Sequence, residues 1–293
     1  MKEITIVCPI FNEEENIEMF IKNFNEIFKN HLNYKFSILF ADNASTDFSS
    51  RILKKICKEN KDIKYIRYAK NNGVMKSLFT AIKHVDTDAC AVFDCDLQDD
   101  PKLLTQFIKN WELDIKIIYG KRVKRKEIFF LGFLRNIFKK ISNYLRGYEI
   151  EIESGAWFLD KKVIQEISHD EYEPFLPLLI NNLNYKSKGI EYERIERKRG
   201  LSKFNFFKYL SYAAEGLVSG TIKPLRVSVY FSFLFGSMSF FSAIYFLIAK
   251  FYLNIVFAEG VAAIIIINLI SFSLIFLFLG ILGEYIGLSL IHI

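Results

Sequence analysis

Between Phe93 and Pro101 the chain reads FDCDLQDDP, which puts four carboxylates, Asp94, Asp96, Asp99 and Asp100, into nine positions. Carboxylates this close repel one another unless a cation sits among them. An Asp-x-Asp at the end of an apolar run, with Gln98 as a further oxygen donor, suits a hard divalent ion such as Mg²⁺ or Mn²⁺. An ion of this kind keeps open positions and binds substrate phosphates. The plainer alternative is a solvated acidic turn before a helix, whose N-terminus welcomes acids; Asp99 and Asp100 in particular are placed to start that helix ahead of Pro101. What decides between the two readings is which other groups the fold brings to the same place.

The elements that would carry this stretch alternate. Ile4–Cys8 is apolar and β-branched and reads as a buried strand, followed by a loop over Pro9–Asn12 and apolar residues at helical spacing from Glu13 to Phe28. Phe36–Ala41 is a second strand ending at Asp42. Asp47 then caps a helix running to about Lys58. Ile63–Tyr68 is a third strand, Asn72-Gly73 turns into a helix to about Val85, Ala89–Phe93 is the fourth strand, and Ile115–Tyr119 is the fifth, closed by Gly120. This order predicts an α/β fold with a mainly parallel sheet and helices on both faces. Ligands of such sheets lie beyond the carboxyl ends of the strands. Three of those ends are polar here: Asn12-Glu13, Asp42-Asn43 and Asp94–Asp99. Further on, Ser154–Leu159 and Ile190–Ile195 read as strands, and Lys161–Ile167 as a short helix.

Bulk properties narrow the setting. The 293 residues are 51% hydrophobic, include 30 Phe, and carry a formal charge of +6. The four cysteines, Cys8, Cys57, Cys90 and Cys95, have no zinc-ligand spacing and fit a reducing compartment. The first apolar run is short and ends at Asn12-Glu13, so no signal peptide is expected. Residues 121–146 are basic and aromatic: Lys121, Arg122, Lys124, Arg125, Lys126, Arg135, Lys139, Lys140 and Arg146 stand against one acid, Glu127. A membrane surface, a nucleic-acid face and an ordinary helix packed on the core all suit such a segment. Val227–Ala249 has no charge and would extend roughly 34 Å as a helix, enough to cross a hydrocarbon core. A second uncharged run lies between Glu259 and Glu284. Two runs in tandem predict a membrane hairpin, about 227–249 and 260–283, after a domain over 1–222. Lys198, Arg199, Lys203, Lys208, Lys223 and Arg226 precede the first run, while Lys250–Glu259 is nearly neutral. That asymmetry predicts a multi-pass protein of the inner membrane with its large domain in the cytoplasm. It also favours the membrane reading of 121–146 over nucleic acid.

The segments CPIFNEEENI, ADNASTD, DCDLQDDP, YGKR and RxxGLSKF, followed by two apolar runs and LGILGEYIG, resemble the GT-A-fold inverting glycosyltransferases. The nearest branch is the polyprenyl-phosphate enzymes, similar to bactoprenol glucosyltransferases and dolichyl-phosphate mannosyltransferases. The resemblance covers nearly the whole chain, and no QxxRW motif of processive synthases is present. It implies transfer of a sugar from a nucleotide sugar, with a UDP-sugar favoured, to polyprenyl phosphate, using Mg²⁺ or Mn²⁺, in a homo-oligomer at a lipid bilayer and without nucleic acid. It also implies roles for individual residues. Pro9, Asn12, Glu13, Asp42 and Asp94 would bind the nucleotide. Asp94, Asp96 and Gln98 would surround the metal. Arg122, Arg125 and Ser202 would meet the acceptor phosphate. Asp96, Arg122, Arg199 and Lys203 would carry catalysis, the last two from a loop that closes over the phosphates.

The pattern departs from the family at two places. Relatives often read TGDFRL where this chain has SGAWFL, so the family's acid falls on Ala156 and its arginine on Phe158; Glu153 is the nearby acid that could substitute. Relatives also continue past GEYIG with a basic tail, where this chain reads Leu288–Ile293. The sequence thus leaves two rival readings open: a glycosyltransferase with another membrane-lipid acceptor, and a non-catalytic nucleotide-binding scaffold.

Overall fold

The computed structural model describes residues 1–123, 140, 143–144, 155–169, 175–195, 223–255, 257–258 and 260–291. The chain divides into two compact units, one over Met1–Lys139 and Tyr148–Ser219 and the other over Lys140–Gly147 and Gly220–Ile293.

The first unit is a seven-stranded sheet with helices on both faces. Its elements are β1 (Lys2–Ile10), α1 (Ile17–Phe28), β2 (Tyr34–Asp42), α2 (Ser49–Glu59), β3 (Ile63–Arg67), α3 (Val74–Lys83), β4 (Ala89–Val92), α4 (Leu103–Glu112), β5 (Ile117–Arg122), β6 (Trp157–Asp160), α5 (Lys161–His169), α6 (Leu176–Asn182) and β7 (Ser187–Tyr192). The strand order is β3-β2-β1-β4-β6-β5-β7. All neighbours run parallel except β6, which is antiparallel to both β4 and β5. Successive side chains of a strand point to opposite faces, and the core divides accordingly. Ile4, Ile6 and Cys8 of β1, Phe36, Ile38 and Phe40 of β2, and Phe158 of β6 face α1 and α4. Val7, Leu39, Val92, Trp157 and Leu159 face the other way, toward α3, α5 and α6. Strands buried on both faces have to be apolar throughout, which is why their sequences carry no polar alternation.

The topology determines where a ligand can sit. The chain builds outward from β1 through β2 to β3, then returns to place β4 on the other side of β1. At that reversal the loops leaving β1 and β4 diverge and open a crevice beyond their carboxyl ends. FDCDLQDDP leaves β4 at this point.

Several element boundaries differ from the sequence expectation. Gly120 does not close β5 but lies inside it: a Cβ there would stand 2.7 Å from Cε1 of Tyr192, so the glycine lets the tyrosine ring lie across the strand. The last strand begins at Ser187 and ends at Tyr192, earlier than the expected Ile190–Ile195. α4 begins at Leu103 after a turn at Pro101-Lys102. α2 begins at Ser49, whose N–H reaches Asp47 Oδ1 at 3.0 Å, so Asp47 does bond the helix start from one residue further out than a standard cap.

The second unit holds α7 (Lys223–Phe251) and α8 (Val261–Ile291). Val227–Phe251 and Val261–Gly283 are long and apolar enough to cross a membrane, and only 11% and 6% of their most apolar windows are buried. The core helix of a soluble protein would be mostly covered. The pair is joined by Phe235 stacked on Phe276 at 5.5 Å. The Ser273 hydroxyl donates to the Ser232 carbonyl at 2.9 Å. Such contacts are what hold helices together where no hydrophobic effect drives them. The sequence also predicts an amphipathic segment over 202–222; that segment and most of the basic, aromatic 121–146 lie outside the described residues.

Candidate active site

Three loops meet at the crevice, and each contains a non-glycine residue in the left-handed region: Asn12 (φ 56), Ala44 (φ 61) and Leu97 (φ 54). This backbone costs free energy and persists where the surroundings over-determine it, most often at functional sites. Here the surroundings are a mesh of hydrogen bonds. The Asn12 N–H donates to Ser45 Oγ (2.9 Å), and Asn12 Oδ1 accepts from the Thr46 N–H (2.7 Å). The Glu13 N–H donates to Ser49 Oγ (2.9 Å), and the Glu13 carboxylate accepts from the Asn16 amide (2.6 Å). Asn43 ties the β2 loop to the β1 end through Ile10 O (2.9 Å) and accepts from the Asn72 N–H (2.9 Å). The first two polar strand ends are therefore brought together, and the Asn12 side chain bonds Thr46 of the neighbouring loop.

Asp42 sits deeper than its expected nucleotide role suggests. Its side chain is fully buried, Oδ1 accepts from the Ser45 N–H (2.8 Å), and Oδ2 accepts from the Tyr65 hydroxyl (3.2 Å). Its carboxylate braces the loop carrying Asn43, Ala44 and Ser45. Pro9 lies within β1, pairing with Ala41 of β2.

In the acidic loop the four aspartates separate by environment. Asp94 is partly exposed at 37% and lies 3.7 Å from Nη2 of Arg194. Burial, then the charges of Asp99 and Asp96, push its carboxyl up to about 7, against the opposing pull of Arg194 and Arg122. Asp96 Oδ1 accepts from the Gln98 N–H (3.2 Å). Asp100 caps the turn into α4 through the Lys102 N–H (2.9 Å), as expected of a helix-starting acid. Asp99 does not share that role. It is buried, accepts from the Tyr192 hydroxyl at 2.5 Å, and is ion-paired with Arg122 (3.7 Å) and Arg194 (3.5 Å). Arg122 Nε donates to the same Tyr192 oxygen at 3.1 Å. Burial weakens the Arg122 cation, but Asp99, Tyr192 and Asp94 more than offset that and hold its pKa above the ordinary value. Sequence reading missed Arg194 and Tyr192 as site residues. The only local signal for them was polar residues alternating with apolar ones at the end of a strand.

Among the described residues no three His, Cys, Asp or Glu side chains form a metal cage. Two carboxylates with open positions are nonetheless what Mg²⁺ or Mn²⁺ uses when substrate phosphates complete its shell. Asp94 and Asp96 fit such an ion: burial first, and then the charges of Asp99 and Asp96, raise Asp94, and a divalent cation would relieve the part that is repulsion. The backbone of Gln98 is committed inward, its carbonyl accepting from the Ile195 N–H at 2.9 Å. Arg125, Glu153, Arg199, Ser202 and Lys203 lie outside the described residues. Ala156 and Phe158 are fully buried, with Phe158 packed edge-on against Phe107 at 6.3 Å, so those two positions present core and no acid or base.

Because Tyr192 is aimed by its ring lying over Gly120, Gly120→Ala is expected to destabilise the protein by about 1–3 kcal/mol through overpacking. Thermal unfolding measures it; an unchanged melting temperature would mean the ring is not fixed there.

Residues 5–168 match the family model described as Glycosyl transferase family 2. A curated bactoprenol glucosyl transferase of Shigella phage SfX is 29% identical over 294 residues, covering 97% of this chain and 94% of that protein. An uncharacterized glycosyltransferase of Bacillus subtilis, YkcC, is 28% identical over 288 residues, covering 97% and 88%. Among solved structures, glucosyl-3-phosphoglycerate synthase from Mycobacterium tuberculosis, crystallised with Mn²⁺, UDP and glucosyl-3-phosphoglycerate, superposes with a TM-score of 0.55 at 12% identity, covering 74% of this chain and 78% of that one. At that identity the likeness is one of fold.

Proposed function

Because the chain belongs to glycosyl transferase family 2, we propose that this glycosyltransferase moves a sugar from a nucleotide sugar to a polyprenyl phosphate at a membrane, with inversion. The observation that carries the reading is the acidic loop at the sheet's reversal point, where Asp94 lies 3.7 Å from Arg194 and Asp99 lies 3.7 Å from Arg122. The acceptor is supported by the likeness over 97% of the chain to a protein named for bactoprenol glucosyl transfer. A bilayer setting, with the first unit in the cytoplasm, is supported by the two exposed apolar helices and by the basic residues before them.

In this reading Asp94 and Asp96 would hold Mg²⁺ or Mn²⁺, and the ion would supply positive charge to the donor diphosphate. An acceptor phosphate oxygen attacks C1 of the sugar. The bond from C1 to the diphosphate oxygen breaks, and a nucleoside diphosphate leaves with the electron pair. Arg122 supplies forked cationic donors to phosphate oxygens as that charge develops. The buried Ala156 leaves no carboxylate at the family's acidic position, and the chemistry accommodates this. A phosphate monoester has a second pKa of about 6, so it is largely dianionic at neutral pH and needs little help from a base.

The test uses the purified full chain in detergent with a panel of nucleotide sugars, UDP-sugars first, and undecaprenyl phosphate, with and without Mn²⁺. A product mass equal to sugar plus undecaprenyl phosphate, formed only with metal, is expected. Turnover only with a diphosphate-linked glycan or a glycerolipid would move the acceptor. Ala156 and Phe158 favour a second reading, a nucleotide-binding scaffold; nucleotide binding without turnover across the panel would establish it.

A further inference from the structure

The Arg194 and Asp99 side chains are not accounted for by a metal site built on Asp94 and Asp96. Asp99 is 2% exposed, and among the described residues its Oδ2 and the Nε of Arg194 have no hydrogen-bond partner. A buried carboxylate oxygen left in that state is costly, and in a native protein it calls for a reason. The surrounding geometry suggests one. Asp99 Oδ1 faces Arg122 Nη2 at 3.7 Å and Arg194 Nε at 3.5 Å. Both distances exceed the 2.7–2.9 Å or so of a tight charge-assisted bond. The carboxylate therefore holds two guanidiniums by charge without saturating either. Tyr192 fixes the arrangement, donating to Asp99 and accepting from Arg122. At Gly155 (φ +147) a Cβ would stand 3.2 Å from Arg122 Nη2, so the backbone closes on this cluster without a side chain between. The other end of Arg194 reaches Asp94 Oδ2 at 3.7 Å. The Ile195 N–H bond to the Gln98 carbonyl fastens the segment carrying Arg194 directly to the acidic loop.

We propose that Arg194 is a phosphate-binding residue of this site that neutralises Asp94 when no ligand is bound, and that Asp99 with Tyr192 is the positioning pair that holds Arg194 and Arg122 side by side. The inference rests on the glycosyltransferase reading above. A cation between Asp94 and Asp99 opposes a metal arriving at Asp94. Once a metal and a phosphate group are present, the same cation is placed to turn from Asp94 to the phosphate oxygens. The phosphate belongs either to the donor diphosphate or to the lipid acceptor, two sources of one chemistry.

That dual position gives Arg194 opposite effects on two ligands, which a merely structural role would not. Full-length Arg194→Gln in detergent is expected to bind Mn²⁺ alone roughly three- to tenfold more tightly, because a like charge is removed from beside the ion. The same variant is expected to bind UDP in the presence of Mn²⁺ about 10- to 100-fold more weakly, or to show a KM for undecaprenyl phosphate raised by that factor, as loss of a charge-assisted hydrogen bond implies. Titration calorimetry reads the first two and initial rates the third. A UDP effect assigns Arg194 to the donor, and an effect confined to KM for undecaprenyl phosphate assigns it to the acceptor. Tyr192→Phe, which keeps the ring and removes only the hydroxyl, is expected to weaken the same phosphate ligand in the same direction. If Arg194→Gln weakens Mn²⁺ and phosphate together, or changes neither while the wild type binds UDP and turns over, the inference fails alone. If the wild type binds no UDP and transfers no sugar, the functional reading falls with it.

Discussion

Asp96→Ala is expected to lower sugar transfer by on the order of 10²- to 10³-fold, the range for removing one electrostatic element that acts on developing charge. Stability is expected to change little. Asp96 lies in a loop outside the core, and the hydrogen bond it accepts from the Gln98 N–H is local. A bond of that kind contributes about 1 kcal/mol. Asp100→Ala is the matched control. Asp100 accepts from the Lys102 N–H at the entry to α4, so its loss is expected to cost about 0.5–2 kcal/mol of stability as other helix caps do, with turnover unchanged. Initial rates and thermal unfolding on both variants separate the two roles, although the residues are only four positions apart. Equal rates in Asp96→Ala and the wild type would remove the metal assignment. A large rate loss in Asp100→Ala would show that the division of labour within the loop is wrong.

That division was half legible in the sequence. The strand cores of β1, β2 and β4 could be read because buried parallel strands must be continuously apolar, and their three polar ends follow from where those runs stop. The sheet's reversal between β1 and β4 then brings the ends together. Asp100 also behaves as its place before a helix suggests. Asp99 could not be separated from it by sequence. Two adjacent aspartates have the same composition and charge, and which one turns inward depends on partners far away: Tyr192 is 93 positions on. Arg194 was missed for the same reason. It reaches the loop after β4 only because β7 joins the far edge of the sheet, parallel to β5, with Tyr192 opposite Arg122. β6 was legible as a strand but not in its direction. A four-residue apolar run carries no mark of parallel or antiparallel pairing, and its insertion between β4 and β5 depends on the whole sheet.

β6 also bears on the departure that the sequence made most visible, Ala156 and Phe158 in place of the family's acid and arginine. Ala156→Asp, which restores that acid, is expected to lose stability by about 3–5 kcal/mol and to gain no activity. Ala156 is fully buried in the core beneath α1 and α4, and its carbonyl accepts from the Gly120 N–H at 2.8 Å. A carboxylate there would be an uncompensated buried charge. The family's arginine position, two residues on along the same face of β6, could compensate it, but here it holds Phe158. That ring lies 5.4 Å from the Trp111 ring and 6.3 Å from Phe107 and fills the space a guanidinium would need. Phe158→Ala alone is expected to cost about 3–5 kcal/mol as a cavity. The double variant Ala156→Asp with Phe158→Arg is expected to be more stable than the sum of the singles by about 0.5–3 kcal/mol, because each new charge finds its partner. Unfolding of the four proteins in one detergent measures that coupling. The sign matters for mechanism. A favourable coupling without any gain in transfer means the pair has been replaced by an apolar one as a unit, with the reaction proceeding through the acceptor's own phosphate. A rise in transfer with Ala156→Asp would instead mean that the site still has room for a base and works below its capacity without one.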